Sequence, residues 1–223
     1  TAAYVDVYKA LEDIQRERPL TPEEKAELKK YSRLADAFTP LCKGMTSEYA
    51  NQNAYDSVSV HGGSGFIMEY KCQRLMRDAR IFSIYEGTTQ LQVVAAIRYI
   101  TNGTYIGIIR EMLENGVSEE MKPLKARVEK MLALYEDAIE KVKAAGSQEV
   151  SDFLARRLYE MTAGIVFSLL LIEDASKAPE MFSRSANVYV RMVEAESAAH
   201  KQYIDAFVAD AAAADTLGAF RAE

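Results

Sequence analysis

Apolar residues recur every three to four positions along most of the chain. Tyr4, Val7, Tyr8, Leu11 and Ile14 fall on one helical face and predict an amphipathic helix that ends near Arg18-Pro19. Thr21-Pro22-Glu23-Glu24 is a start signal: Thr21 can cap, Pro22 suits the first turn, and Glu24 completes a capping box. The helix that follows is expected to bury Leu28, Tyr31, Leu34, Ala35 and Phe38. Thr39-Pro40 should break or kink it, because proline lacks a donor and clashes with the preceding turn. The pattern resumes from residue 41 to about residue 60 and stops at His61-Gly62-Gly63-Ser64-Gly65. A short helix over roughly 68–77 comes next, then a loop, then a helix from Thr88 through Leu91, Val94, Ala95 and Tyr99.

Between residues 101 and 117 the character changes. Asn102-Gly103 and Asn115-Gly116 are turn pairs, and they place a domain boundary that divides the chain into 1–105 and 106–223. In the second region, Leu124, Val128, Met131, Leu132, Tyr135, Ile139 and Val142 form one stripe, which Gly146 ends. The next helix, about 148–176, carries Phe153, Leu154, Leu158, Met161, Ile165, Leu169 and Ile172. Pro179 starts another, through Phe182, Ala186, Val190, His200, Tyr203 and Phe207. Three long helices with short turns predict an up-down bundle, with the helix from Thr88 or its extension as a candidate fourth. The tail, 211–223, reads as frayed. No stretch alternates apolar with polar residues, so the fold class is all-α, built of antiparallel helical bundles.

Composition narrows the function. Apolar residues make up 49% of the 223, enough for a real core. The net charge of −6 argues against nucleic-acid binding, which needs clustered basic charge. No apolar run is long enough to span a bilayer, and no secretory signal opens the chain, so a cytoplasmic location is expected. The chain opens at Thr1 without a methionine, which fits a fragment or a processed product. Two histidines make a histidine-based metal site a poor reading, and no metal is expected. Cys42 and Cys72 lack metal-ligand spacing and read as buried thiols.

The candidate chemistry lies between Arg77 and Gln90. Glu86 follows Ile81, Phe82, Ile84 and Tyr85, which can form a dry wall, and precedes Gly87, which permits a tight turn. Thr88 can cap the next helix. Burial against such a wall would disfavour the carboxylate's charged form and suit it to act as a general base. On pattern alone the plainer reading is a surface glutamate in a helix–helix turn, and the glycine run is an ordinary helix cap. Arg77, Asp78 and Arg80 read as helix-end ion pairs, and His200 as a packed or surface histidine.

Three blocks change that balance. Tyr85-Glu86-Gly87-Thr88-Thr89-Gln90-Leu91-Gln92 resembles the Y-E-G-T-x-Q-I-Q signature of the flavin-dependent acyl-CoA dehydrogenases. His61-Gly62-Gly63-Ser64-Gly65-Phe66 resembles that family's G-G-x-G-[FY] turn. The run from Arg74 to Ile81 resembles its L-M-R-D-A-[KR]-I segment. The blocks stand in the family's order and spacing within roughly residues 40–105, and the second region resembles the extra helical domain of the larger members.

The resemblance implies oxidation of the Cα–Cβ bond of an acyl-CoA thioester to a trans-2-enoyl-CoA. Glu86 would remove the α-proton and FAD would take the β-hydrogen as hydride. Tyr85 and Gly87 would meet substrate. Thr88 and Gln90 would meet FAD, and His61, Gly62 and Gly63 would touch the FAD of a neighbouring subunit. A homo-oligomer (dimer or tetramer) and electron-transferring flavoprotein as electron acceptor follow from the same resemblance. Ser59 stands where the family usually has glutamine, and it is too short to replace that side chain's contact. The family's N-terminal helical domain and β-domain have no counterpart in these residues, so the chain is expected to be inert alone. Two other readings remain: a helical assembly or partner-docking module without catalysis, and an acyl-CoA oxidase that passes electrons to oxygen.

Overall fold

A computed structural model describes residues 1–210. They form nine α-helices and two 3₁₀ turns, with no strand among the described residues. By internal contacts the chain divides into two compact units, and the division falls between Ala96 and Ile97. The tail reading at 211–223 lies outside the described residues.

In the first unit, α1 spans Ala2–Glu17 and packs along α2, Pro22–His61. Leu11 and Leu20 are buried at this contact, and the Tyr4 and Phe38 rings lie 5.4 Å apart. The capping box at Thr21 is complete. The Glu24 N–H donates to Thr21 Oγ1 (3.2 Å), and the Thr21 N–H donates to Glu24 Oε2 (2.9 Å). Arg18 adds a two-pronged pair to the same carboxylate, at 2.8 and 2.6 Å.

Pro40 does not end α2, which runs unbroken for 40 residues. The helix continues because the site is packed: Pro40 and Leu41 are buried, so the contacts of this stretch offset the donor that proline lacks. Beyond α2 come α3, Gly63–Phe66, and α4, Cys72–Ala79, in place of one helix over 68–77. Gly65 explains the tight turn, since a Cβ there would sit 2.4 Å from the Val58 carbonyl oxygen. A 3₁₀ turn, Arg80–Ser83, leads to the loop before α5, Thr89–Thr101. Cys72 is buried as expected, but Cys42 is exposed, because it lies on the outer face of α2 beside exposed Thr46.

In the second unit the two Asn-Gly pairs bracket a helix that pattern alone did not give, α6, Thr104–Glu114. It buries Tyr105, Ile108 and Ile109 and packs on α7 and α8, so it supplies the fourth helix. The long helices are α7, Lys122–Ala144; α8, Gln148–Lys177; and α9, Pro179–Ala209. All seven residues of the α7 stripe are buried. Burying this many large side chains, at about 1.5–3 kcal/mol each, is what holds the bundle. The Tyr135 hydroxyl meets the Thr162 hydroxyl in this core (2.7 Å), and burial pushes the phenol's pKa up. His200 is half-buried between α8 and α9, with Nε2 3.3 Å from Glu160 Oε2, and burial lowers its pKa.

Candidate functional site

The loop between the 3₁₀ turn and α5 has an unusual backbone. Glu86 has φ of +50° and Gly87 has φ of +92°, and Glu86 is the one non-glycine residue with positive φ among those described. Two successive left-handed residues reverse the chain sharply. A side chain tolerates that conformation poorly, so the surroundings must hold it.

Helix α2 supplies the hold through three side chains on one face. The Lys43 ammonium donates to the Gly87 carbonyl and stands 5.8 Å from the centre of the Tyr85 ring. The Ser47 hydroxyl shares its hydrogen between the Lys43 carbonyl of its own helix (2.5 Å) and the Phe82 carbonyl (3.0 Å). Glu48 Oε1 accepts from the Thr89 hydroxyl (2.6 Å). From the other side, Gln92 Nε2 lies 3.5 and 3.4 Å from the Glu86 and Gly87 carbonyl oxygens. Thr88 caps α5 as expected, accepting from the Leu91 N–H (3.3 Å).

Sequence reasoning missed Lys43, Ser47 and Glu48. Each lies 35 to 44 residues from its partner, beyond any local spacing rule. One signal was present: Lys43 sits among buried Leu41, Gly44, Met45 and Ser47, where a solvated lysine is out of place.

The four apolar residues expected to make a dry wall face solvent. Ile81, Phe82, Ile84 and Tyr85 are 51, 45, 46 and 45% exposed, and Glu86 is exposed as well. The cause is which residues meet α2: from α4 and the 3₁₀ turn only Cys72, Ala79 and Ser83 are buried, all small. Small residues let the backbones approach, and the large side chains are turned outward. The ion pairs expected of Arg77, Asp78 and Arg80 are absent among the described residues; Arg80 donates to the Ser83 hydroxyl instead. Arg77 and Arg80 line a groove of about 560 Å³ with Glu48, Asn51, Gln52, Tyr55 and Met76.

The residues that the resemblance assigns to FAD form two groups. Tyr85, Glu86, Gly87, Thr88 and Gln90 share the loop and the start of α5. His61, Gly62 and Gly63 lie at the far end of α2. Eighteen residues of helix separate Lys43, which touches Gly87, from His61, a rise of about 27 Å. Both groups fit a polar ligand. Gly62 and Gly63 are exposed and would have nothing within 4 Å of an added Cβ, and Thr88 keeps its hydroxyl hydrogen after capping.

Comparison with known proteins gives the family of the chain. The model of the "Acyl-CoA dehydrogenase, C-terminal domain" family matches residues 3–100, and that of "Acyl-CoA dehydrogenase C terminal" matches residues 101–211. Caffeyl-CoA reductase-Etf complex subunit CarC of Acetobacterium woodii is 48% identical over 52 residues, covering 23% of this chain and 14% of that protein. The broad-specificity linear acyl-CoA dehydrogenase FadE5 of Mycobacterium tuberculosis is 28% identical over 153 residues, covering 64% and 24%. The crystal structure of acyl-CoA dehydrogenase complexed with FAD from Bacillus anthracis superposes with a TM-score of 0.68 at 18% identity, covering 98% of this chain and 40% of that one, a likeness of fold. The chain spans between about a seventh and a quarter of the length of these two sequence relatives. With both of the family's C-terminal models matched in tandem, the chain belongs to the acyl-CoA dehydrogenase family and carries its C-terminal helical region.

Proposed function

We propose that this chain serves as the C-terminal part of an FAD-dependent acyl-CoA dehydrogenase, with Glu86 as the base that takes the α-proton. The observation that carries the reading is the backbone at Glu86. A carboxylate stands on a left-handed turn pinned by Lys43, in the Tyr85-Glu86-Gly87-Thr88 order. A general base needs a fixed position more than any other property, because proton transfer requires hydrogen-bond reach.

In this reading Glu86 removes the α-proton and holds it, and FAD, when bound, accepts the β-hydrogen as hydride. Tyr85 and Gly87 border the thioester, and the exposed apolar side chains around Glu86 become the wall of a site that further protein closes. Closure would exclude water, which strengthens every charge interaction inside. Thr88 and Gln90 would hold the flavin. His61, Gly62 and Gly63, about 27 Å away along α2, would then bind the FAD of a neighbouring subunit. A homo-oligomer is part of the reading, as is division into a flavin-bearing domain, 1–105, and a helical extension, 106–223. The isolated chain would be inert. Electron-transferring flavoprotein is the proposed redox partner, in keeping with the Etf complex named for the A. woodii relative. That relative's name also denotes a reductase, so the assay is run in both directions. No helix among the described residues is long and apolar enough to cross a membrane, and a cytoplasmic site is proposed.

The test is anaerobic bleaching of flavin absorbance in the full-length protein with butyryl-, octanoyl- and palmitoyl-CoA, alongside Glu86→Gln. The expected result is bleaching that the variant slows by about 10³-fold, within the 10²–10⁴ range that one acid–base group contributes. Equal bleaching in both proteins would remove Glu86 from the mechanism. A full-length protein without flavin would replace this reading with an assembly module.

A further inference from the structure

The grip on the loop is unequal. Ser47 holds the 3₁₀ turn and Glu48 holds the first residue of α5, so both act outside the left-handed pair. Inside it, the amide of Gln92 approaches two carbonyls at long range, 3.4 and 3.5 Å. Among the described residues Lys43 alone brings a full charge to the loop backbone, and it does so at the Gly87 carbonyl. Glycine is the residue whose ψ its own sterics restrict least. At Gly87 that freedom lies between Glu86 and the start of α5. A charge-assisted bond to the Gly87 carbonyl therefore fixes the torsion that the residue itself leaves open. The Lys43 side chain is half-buried, and its stem rises from the packed face of α2, so the ammonium is delivered from a rigid element.

We infer that Lys43 is the positioning residue of this site: by holding the Gly87 carbonyl it fixes the orientation of Glu86 relative to α5. This rests on the proposed function for its catalytic consequence, but its structural half stands on the loop alone. Lys43 touches neither substrate nor cofactor in this account. It acts through Gly87.

The experiment compares Lys43→Met, which keeps length and loses the donor, with Lys43→Arg, which restores a charged donor, in the full-length protein. The first readout needs no substrate: hydrogen–deuterium exchange of peptides covering residues 84–90. Lys43→Met should speed exchange there at least tenfold while α1 and the first half of α2, in the same unit, exchange as before, and Lys43→Arg should return it to within about threefold. The second readout is single-turnover flavin bleaching with octanoyl-CoA. Lys43→Met should lower the rate at saturation at least tenfold and shift half-saturation less than threefold. Exchange and bleaching both within twofold of the unsubstituted protein would overturn the inference. If Lys43→Met unfolds its own unit, seen as fast exchange throughout α1 and α2, Lys43→Gln takes its place under the same criteria. Absence of bleaching in the unsubstituted protein defeats the proposed function, and the exchange readout still decides whether Lys43 holds the loop.

Discussion

Gly164, buried in the middle of α8, offers the sharpest test of the packing. A Cβ built there would lie 2.7 Å from Val193 Cγ1 and 3.5 Å from Cγ2 on α9. Favourable carbon–carbon contact lies near 3.5–4.0 Å, so one methyl must move by about 1 Å. Val193 is 2% exposed, and as a β-branched residue in a helix it has essentially one rotamer, so it cannot swing aside. Overpacking of this kind costs about 1–3 kcal/mol. Replacing glycine by alanine inside a helix returns about 1 kcal/mol. Gly164→Ala should therefore destabilise by about 1 kcal/mol. Val193→Ala alone removes two methyl groups and should cost about 2 kcal/mol, from roughly 0.8 per group plus the cavity. In the Val193→Ala background the clash is gone and the added methyl fills the space. There Gly164→Ala should stabilise by about 1 kcal/mol. The same substitution changes sign, which corresponds to a coupling of about 2 kcal/mol. Urea unfolding followed by hydrogen–deuterium exchange of peptides from α8 and α9 measures this in the second unit alone. Additivity within about 0.5 kcal/mol, or stabilisation by Gly164→Ala on its own, would refute the close crossing of α8 and α9.

Two further predictions concern charge. The Arg18 guanidinium, aided by the Thr21 N–H, lowers the Glu24 pKa from 4.5 to about 2. A depressed carboxyl contributes stability above its unfolded value and loses it as pH falls through its folded one. The melting-temperature advantage over Glu24→Gln should thus be full above pH 4.5, shrink as the pH falls, and be gone only below about pH 2, and an advantage that grows on acidification would contradict it. Lys201 presents a second case: its side chain is 9% exposed and its ammonium lies 2.6 Å from Asp137 and 2.5 Å from Asp205, carboxylates that are 53 and 39% exposed. Lys201→Met leaves two hydrated carboxylates that Lys141 still pairs, and should cost under about 1 kcal/mol. Replacing both aspartates by alanine strands a buried ammonium and should cost about 3 kcal/mol or more, so chemical denaturation that ranks the two variants the other way would disprove the account.

What the sequence made legible was local. The Thr21 capping box depends on residues three apart, and the α7 stripe on residues three and four apart, and both stand in the structure as read. The failures share the opposite property. Thr39-Pro40 reads as a break or a kink, and the break is ruled out only once Pro40 and Leu41 are known to be buried within a continuous helix. The Asn-Gly pairs were read as turns; Asn102-Gly103 is one, while Asn115-Gly116 leaves α6 through a bend with extended backbone, and α6 between them is short and interrupted by Gly107, too weak a period to outvote the turn signals. Lys43 finds Gly87 across 44 residues, a distance no periodicity spans.

The loop region adds a different lesson, because there the rule that large apolar residues go inside runs backwards. From residue 72 to residue 83 the buried positions are Cys72, Ala79 and Ser83, while Leu75, Met76, Ile81 and Phe82 are exposed. Were this a core segment, turning it over would bury the large side chains and gain about 1.5–3 kcal/mol for each. The chain forgoes that gain because a polar contact fixes the other orientation: the Ser47 hydroxyl reaches the Phe82 carbonyl only when the Ser83 side faces α2. The same orientation sets the loop that follows, with Lys43 at Gly87 and Glu48 at Thr89, two further bonds that a rolled segment would lose. The exposed apolar surface beside Glu86 is therefore a consequence of holding Glu86 in place. Motif and surface are one feature, and mutations that bury Ile81 or Phe82 against α2 should disturb the loop even though they touch none of its residues.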